Sequence, residues 1–468
     1  MQQTEVPLRR AYFIFVIVGV ALFIAATDAT TVVVALPKIA DDLDAQVGWI
    51  GWIVSGYQFS QTIALPIAGK LSDTLGRKRL FLWSVGLFIF SALGAALAPN
   101  IYVLIVCRVF QGIGAGGFMP SATGIVGDSF GLGKRATMVG LFSSILPLGG
   151  IAGPNIGGAI ADHASWRWIF VVNAPLGLLA LVMAVWLIPK GKASGVARRI
   201  DVRGSAILAA AALSFMYGMT AWANNPDNLA HPSVWLFFVL AIVFTVLLVR
   251  HGLRTADPIM DPRLLRQKPF IAVNAFSFVQ GCILFGTFAF TPYFMKAAYD
   301  LSGTDVGIVL TPRFGVTAAC AIFASLMLLR LGYRALLVGG GLCIVVGNIA
   351  FAVGDYGFAP MVMLTVLMTI TGAGVGLINP ALSNAALDLE PSKLAAITGQ
   401  RGMFRALGAA FAISIASVLL STFSSEVDGL KVHFIVMSLL FLVSLPLVLW
   451  IPEVAKGQRK GKAAQASP

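Results

Sequence analysis

Two ionisable side chains stand out because of where the sequence puts them. Asp28 lies in an apolar run over about residues 11–37, and Arg108 in another over about 101–124. A charge inside a hydrocarbon layer is costly, so an acid there faces a cavity or a partner and marks an ion path. Arg108 is permanently charged and needs a carboxylate, a carbonyl or water. Asp28 is the single acid that can be placed firmly within a span, so the expected chemistry is reversible proton binding at Asp28, with Arg108 setting its proton affinity directly or through water. Two plainer readings stay open: Asp28 near the outer interface bonded only to Thr31, and Arg108 satisfying backbone carbonyls. Arg313, Arg401 and Arg405 also fall within spans, and the run 394–423 that holds the last two contains no Asp or Glu. Other chemistries find no support. There is no CxxC, HExxH or GxxxxGK[ST], the four histidines His163, His231, His251 and His433 lie apart near loops, and the four cysteines sit in apolar runs as small hydrophobes. Enzyme chemistry and ATP as an energy source are therefore not expected.

The elements that must position these residues follow from composition. The chain has 468 residues, 58% apolar and 11% charged, with mean hydropathy +0.88. Soluble domains carry about 25% charged residues, so a soluble globule is excluded. Fourteen apolar runs are long enough to cross a bilayer as helices, at roughly 11–37, 47–68, 80–98, 101–124, 136–161, 167–189, 203–223, 233–252, 270–295, 303–329, 335–354, 358–387, 394–423 and 433–452. Arg9 and Arg10 before a long first run, with no small-residue cleavage site, do not read as a removable signal peptide. An even number of spans puts both termini on one side. On that side the alternating connections gather 25 Lys and Arg against 9 acids, while the other side holds 4 against 10. Basic loops stay cytosolic, so both termini are expected in the cytosol, and the net +13 reads as topology and anionic-lipid contact rather than nucleic-acid binding. Setting spans seven and eight aside leaves six before and six after. The expected fold is an all-α integral membrane protein of two six-helix bundles with two extra helices inserted: 1–189, an inserted hairpin with linkers over 190–268, 269–453, and a cytosolic tail over 454–468. Transporters built from two such halves hold substrate near the midplane.

Between spans two and three runs Gly69-Lys70-Leu71-Ser72-Asp73-Thr74-Leu75-Gly76-Arg77-Lys78-Arg79. Two glycines suit a tight turn, and Asp73 and Arg77 stand four apart, in reach of each other if the segment is helical. The pattern resembles the loop signature of the major facilitator superfamily. That resemblance implies a conformational switch at Gly69, Asp73, Gly76 and Arg77, with the aspartate meeting the start of span thirteen near Ser392. Asp28-Ala29-Thr30-Thr31 to Ala35-Leu36-Pro37 is similar to a signature of the fourteen-helix drug/proton antiporter branch (EmrB/QacA type), with Val34 where that pattern has asparagine. Arg108-Val109-Phe110-Gln111-Gly112 to Gly117 resembles the family's pattern in span four. Gly149, Gly153, Pro154, Gly157 and Gly158 resemble the motif that separates exporters from importers; by physics alone the glycines allow close helix approach and the proline favours a bend. Trp166-Arg167-Trp168-Ile169-Phe170 with Asn173 and Pro175 is similar to a further stretch of that branch, where the aromatics suit an interfacial belt. The second half follows the family loosely, and Leu331-Gly332-Tyr333-Arg334 is a worn echo of the loop signature.

The resemblance implies a proton-coupled multidrug or amphiphile exporter of a bacterial inner (plasma) membrane, working by alternating access. An importer or symporter of a metabolite, and a lipid or siderophore exporter on the same fold, stay open. Candidate cavity residues are Tyr57, Gln58, Gln61, Gln280, Arg313 and Asn379, with Asn274, Tyr293 and Asn384. Polar groups of this kind also serve as glue between helices. Phe276, Phe278, Phe285, Phe288 and Phe290 suit either apolar ligands or packing. Arginines in excess of acids should disfavour a dication and accept neutral, zwitterionic or anionic amphiphiles. No cofactor beyond the proton gradient and no metal are expected. The expected partners are a small amphipathic substrate, protons and lipids, with periplasmic adaptor and outer-membrane proteins as further candidates, and the chain is expected to be monomeric.

Overall fold

The computed structural model describes residues 7–130, 132–189, 201–225, 231–255, 258–354, 359–389 and 394–453, and among them every regular element is helical. The expected tail over 454–468 and the linker stretch 190–200 lie outside the described residues. In chain order the helices are α1 (Leu8–Asp42), α2 (Val47–Leu75), α3 (Arg77–Ala96), α4 (Ile101–Ser129), α5 (Leu132–Ser143), α6 (Ile145–His163), α7 (Trp168–Val171), α8 (Asn173–Leu187), α9 (Val202–Ala223), α10 (Pro232–Arg254), α11 (Lys268–Gly281), α12 (Phe288–Tyr299), α13 (Gly303–Val353), α14 (Pro360–Leu389), α15 (Leu394–Thr422) and α16 (Glu426–Ser444). A π-helical turn, Cys282–Thr287, joins α11 to α12. Eleven helices among the described residues are long and apolar enough to cross a membrane. The longest of these, α13, holds Gly332 at φ 80°, a left-handed kink that divides its 51 residues into two helices. With that division, and with α2 and the pair α5 and α6, each of the fourteen expected spans has a helix.

Prolines explain several interruptions. A proline lacks the N–H that the carbonyl four residues earlier would accept, and it bends or breaks the helix there. Pro147 leaves the Ser143 carbonyl without that donor, where α5 ends, and Pro175 does the same to Val171, where α7 ends. The short break before Asn173 turns out to matter for chemistry.

Contacts divide the chain into two units, residues 1–200 with 302–307, and residues 201–301 with 308–468. In the first, Phe81 and Phe88 meet Phe118 edge-on at 6.2 and 6.1 Å, amid buried aliphatic side chains of α1, α3, α4 and α8. Asp162, at the end of α6, accepts the Gly303 and Thr304 N–H groups at 2.8 and 2.7 Å and so holds the start of α13. In the second, Phe294, Phe351 and Phe434 form an aromatic cluster, and the pair α9 and α10 packs on α15 through Met219, Ala223 and Val418. Asp201 caps α9 at Gly204 N, accepts Ile259 N, and lies 2.7 Å from His251 Nε2. Burial pushes its carboxyl up, but those bonds and the nearby imidazole hold it below the ordinary carboxylate range. Both units expose large apolar side chains, Trp83, Phe90, Leu97 and Trp186 in the first and Leu326, Val353 and Val443 in the second. Water would penalise such surfaces; a hydrocarbon layer accepts them.

Candidate functional site

The first unit brings Asp28 and Arg108 into direct contact. Arg108 Nη1 donates to Asp28 Oδ2 at 2.5 Å, and both residues are 1% exposed. The other carboxylate oxygen, Oδ1, accepts from Asn173 Nδ2 at 2.8 Å and Gln111 Nε2 at 3.1 Å. Gln111 also accepts from Arg108 Nη1 at 2.7 Å, so its amide bridges acid and base. Arg108 Nε donates to the Ile53 carbonyl at 3.2 Å, and the guanidinium lies over the Tyr57 ring at 4.2 Å. The charges are therefore compensated by an opposite charge, two amides, a carbonyl and an aromatic face, which a buried pair requires. Asp28 makes no bond to Thr31, whose hydroxyl goes instead to the Thr27 carbonyl at 2.7 Å and the Gly153 carbonyl at 3.1 Å.

Glycines set the geometry around this pair. On α4, a Cβ at Gly112 or Gly116 would strike the Tyr57 or Gln61 carbonyl of α2, which is how Tyr57 comes to lie beneath Arg108. On α6, a Cβ at Gly149, Gly153 or Gly157 would collide with Ala26, Thr30 or the Thr31 carbonyl. The glycine stripe thus seats the face of α1 that flanks Asp28. Gly158 lies against the Gly303 carbonyl, and Pro154 sits inside α6 between these contacts.

Other candidates are placed differently from expectation. Gly69 is inside α2 with open space around it, so it makes no turn; Gly76 alone does, at φ 89° between α2 and α3. Arg77 forms an ion pair with Asp128 and donates to the Gly124 carbonyl at 2.6 Å, both on α4. The Asp73 side chain and Ser392 lie outside the described residues. Tyr57 is buried beside Arg108, Gln58 is buried, and Gln61 meets Met119 Sδ at 3.7 Å. Trp166 is buried and donates to Asp42 Oδ2 at 2.8 Å, while Trp168 is exposed. His433 is fully buried in α16 rather than near a loop.

In the second unit, Gln280 donates to Asn379 at 3.4 Å. Arg313 is 5% exposed, with its guanidinium 4.5 Å from the Phe288 ring centroid and Nη1 3.7 Å from Met368 Sδ. Phe276, Phe288 and Phe290 are buried in packing. Gln111 and Asn173 were not among the sequence candidates. Gln111 had one signal, its place one turn from Arg108, and Asn173 another, a lone amide two residues before Pro175 in an apolar stretch.

A bundle of membrane-length helices, glycine-packed around a buried acid–base pair, is the build of a multi-pass membrane transporter. The chain belongs to the Major Facilitator Superfamily, whose model matches residues 18–256 and 273–468. The family is one of transporters. The chain is 28% identical over 410 residues to the multidrug transporter protein MdtP of Bacillus subtilis, spanning 87% of this chain and 75% of that protein. It is 26% identical over 391 residues to the tetracenomycin C resistance and export protein of Streptomyces glaucescens, spanning 82% and 70%. Among solved structures, a point mutant of the nucleoside transporter NupG superimposes with TM-score 0.71 at 12% identity, covering 94% of this chain and 99% of that one, a likeness of fold.

Proposed function

We propose that the protein is a proton-coupled exporter of amphipathic compounds, with Asp28 as the proton-binding group. The observation that carries this reading is the buried Asp28–Arg108 pair held by Gln111 and Asn173. Proton addition at Asp28 neutralises the carboxylate and removes the ionic attraction to Arg108, which keeps the Gln111 and Ile53 oxygens and the Tyr57 ring as partners. Helices α1, α4 and α8 are thereby joined at one titratable point, and occupancy by a proton changes how firmly they hold together. Export of drugs is supported by relatives named for multidrug transport and tetracenomycin C export. In this reading both termini face the cytosol of a bacterial plasma membrane, protons move inward as substrate leaves, and no cofactor takes part.

The test is flux in liposomes across a chemically diverse panel of amphiphiles under an imposed proton gradient, with wild type and Asp28→Asn side by side. Gradient-driven flux in the wild type, reduced at least a hundredfold in the variant, is the expected result. Gradient-driven flux untouched by the substitution removes Asp28 from the mechanism. Flux running down the proton gradient together with the substrate, rather than against it, would mark a symporter.

A further inference from the structure

The second unit carries buried arginines of its own, and they are treated differently. Arg401 Nε reaches Ser277 Oγ at 3.3 Å, the Arg405 guanidinium lies 5.8 Å from the Phe285 ring centroid, and that of Arg313 4.5 Å from the Phe288 ring centroid. Ser277, Phe285 and Phe288 follow one another along a single helical run, α11 through the π turn into α12. Three cations are thus ranked along one strut. None of them has a carboxylate within ion-pair distance among the described residues, although other arginines there do, Arg77, Arg108 and Arg167 among them.

Their positions are fixed by the backbone. A Cβ at Gly281 would strike the Arg405 carbonyl, and one at Gly372 the Arg313 carbonyl, so each arginine is seated on a glycine of a neighbouring helix. Arg401 and Arg405 stand four residues apart on α15, one helical turn from each other. Beside them are unspent polar atoms. Gln400 is 2% exposed with neither amide atom partnered, and Gln280 is 5% exposed with its Oε1 unpartnered, among the described residues. A buried cation left without an anion is costly, and such a charge within a span marks a substrate or ion path.

We propose that this row of arginines, Arg313, Arg401 and Arg405, receives the oxyanion of an amphiphile, a sulfonate, carboxylate or phosphate group on an apolar body, while Phe285 and Phe288 supply apolar contact. The proposal rests on the exporter reading for its role in transport and deepens it by naming the substrate class. Guanidinium groups match oxyanions through paired N–H donors, and phenylalanine rings beneath them suit the apolar part.

The experiment uses the full chain in phosphatidylcholine nanodiscs and two fluorescent probes with one apolar body, 8-anilinonaphthalene-1-sulfonate and uncharged N-phenyl-1-naphthylamine. Arg313→Gln and Arg405→Gln are each expected to weaken the sulfonate probe at least tenfold while leaving the uncharged probe within twofold, and Arg313→Lys is expected to recover part of the loss. Unchanged uncharged-probe binding shows that the variants are folded. The proposal is overturned if both probes weaken together or if neither does. Adding phosphatidylglycerol separates the sources of the anion: displacement of the sulfonate probe assigns the site to a lipid headgroup, and its absence assigns it to a free amphiphile. The outcome is independent of the proton reading, because binding needs no gradient. Absent gradient-driven flux with the sulfonate pattern intact overturns the exporter role and leaves the site; flux of the uncharged probe without that pattern does the reverse.

Discussion

The two units solve the same problem with opposite electrostatics. Each turns a helix pair on a Leu-Gly step with the glycine at positive φ, Gly76 at 89° and Gly332 at 80°, and each fastens a basic residue just after it to a neighbouring segment. Arg77 goes to Asp128 and the Gly124 carbonyl, while Arg334 donates to the Ile451 and Leu449 carbonyls at 3.0 and 2.9 Å. Deeper in, they part. The first unit completes its buried arginine with Asp28; the second leaves Arg313, Arg401 and Arg405 without an acid among the described residues. A scaffold that keeps its turns but not its charges has assigned its halves different work, a proton to one and an anion to the other under the readings proposed here.

The sharpest way to break this contrast is to remove the arginines and compare signs. Arg108→Met strands Asp28 as a buried unpaired charge and should cost about 3–5 kcal/mol, whereas Arg313→Met removes a charge with no anion among the described residues and should raise the melting temperature. Thermal unfolding of both purified variants checks this, and a fall in both would place a hidden partner at Arg313. Next in size is the glycine stripe. Gly153→Val drives a side chain into Thr30 and the Thr27 carbonyl and should cost about 1–3 kcal/mol, while Gly315→Ala in the second unit, with open space around it, should be neutral or stabilising. Denaturation midpoints of the pair give the difference. Gly76→Ala and Gly332→Ala should each cost about 1–2 kcal/mol, since both force an alanine to positive φ; unequal losses would show that the two turns are not equivalent.

The smallest effect belongs to Asp201, outside the spans. Its carboxyl is held below its ordinary value, so its contribution is complete above the unfolded-chain value and lost as pH falls through the lower folded one. Asp201→Asn should therefore lower stability by roughly 1 kcal/mol at pH 7, with the gap to wild type closing below about pH 4. Melting curves from pH 7 to pH 3 test the sign.

The spans were legible because each must be an unbroken apolar run, and Asp28 and Arg108 because a charge in such a run is conspicuous. Gln111 and Asn173 were not, since a neutral amide in a membrane helix looks like ordinary glue until its acceptor is known. The contact of Arg77 with Asp128 was hidden for another reason: the two residues are far apart in the chain, and nothing in the sequence says that the turn at Gly76 sets Arg77 against α4. The kink at Gly332 and the breaks at Pro147 and Pro175 could be foreseen as interruptions, but not which side chains they would deliver.

The π turn at Cys282–Thr287 has a genetic consequence. A π turn accommodates one residue more than an α turn, and the Thr287 hydroxyl reaching back to the Cys282 carbonyl at 3.1 Å spans that surplus. An in-frame loss of a single codon there would remove the surplus and let the helix run on as continuous α with the later residues in nearly their present phase, whereas the same loss in a regular α-helix turns every later residue by about 100°. Phe288 would keep its place beside Arg313, so this turn is where the helix can lose a residue without changing which side chains face the arginine row.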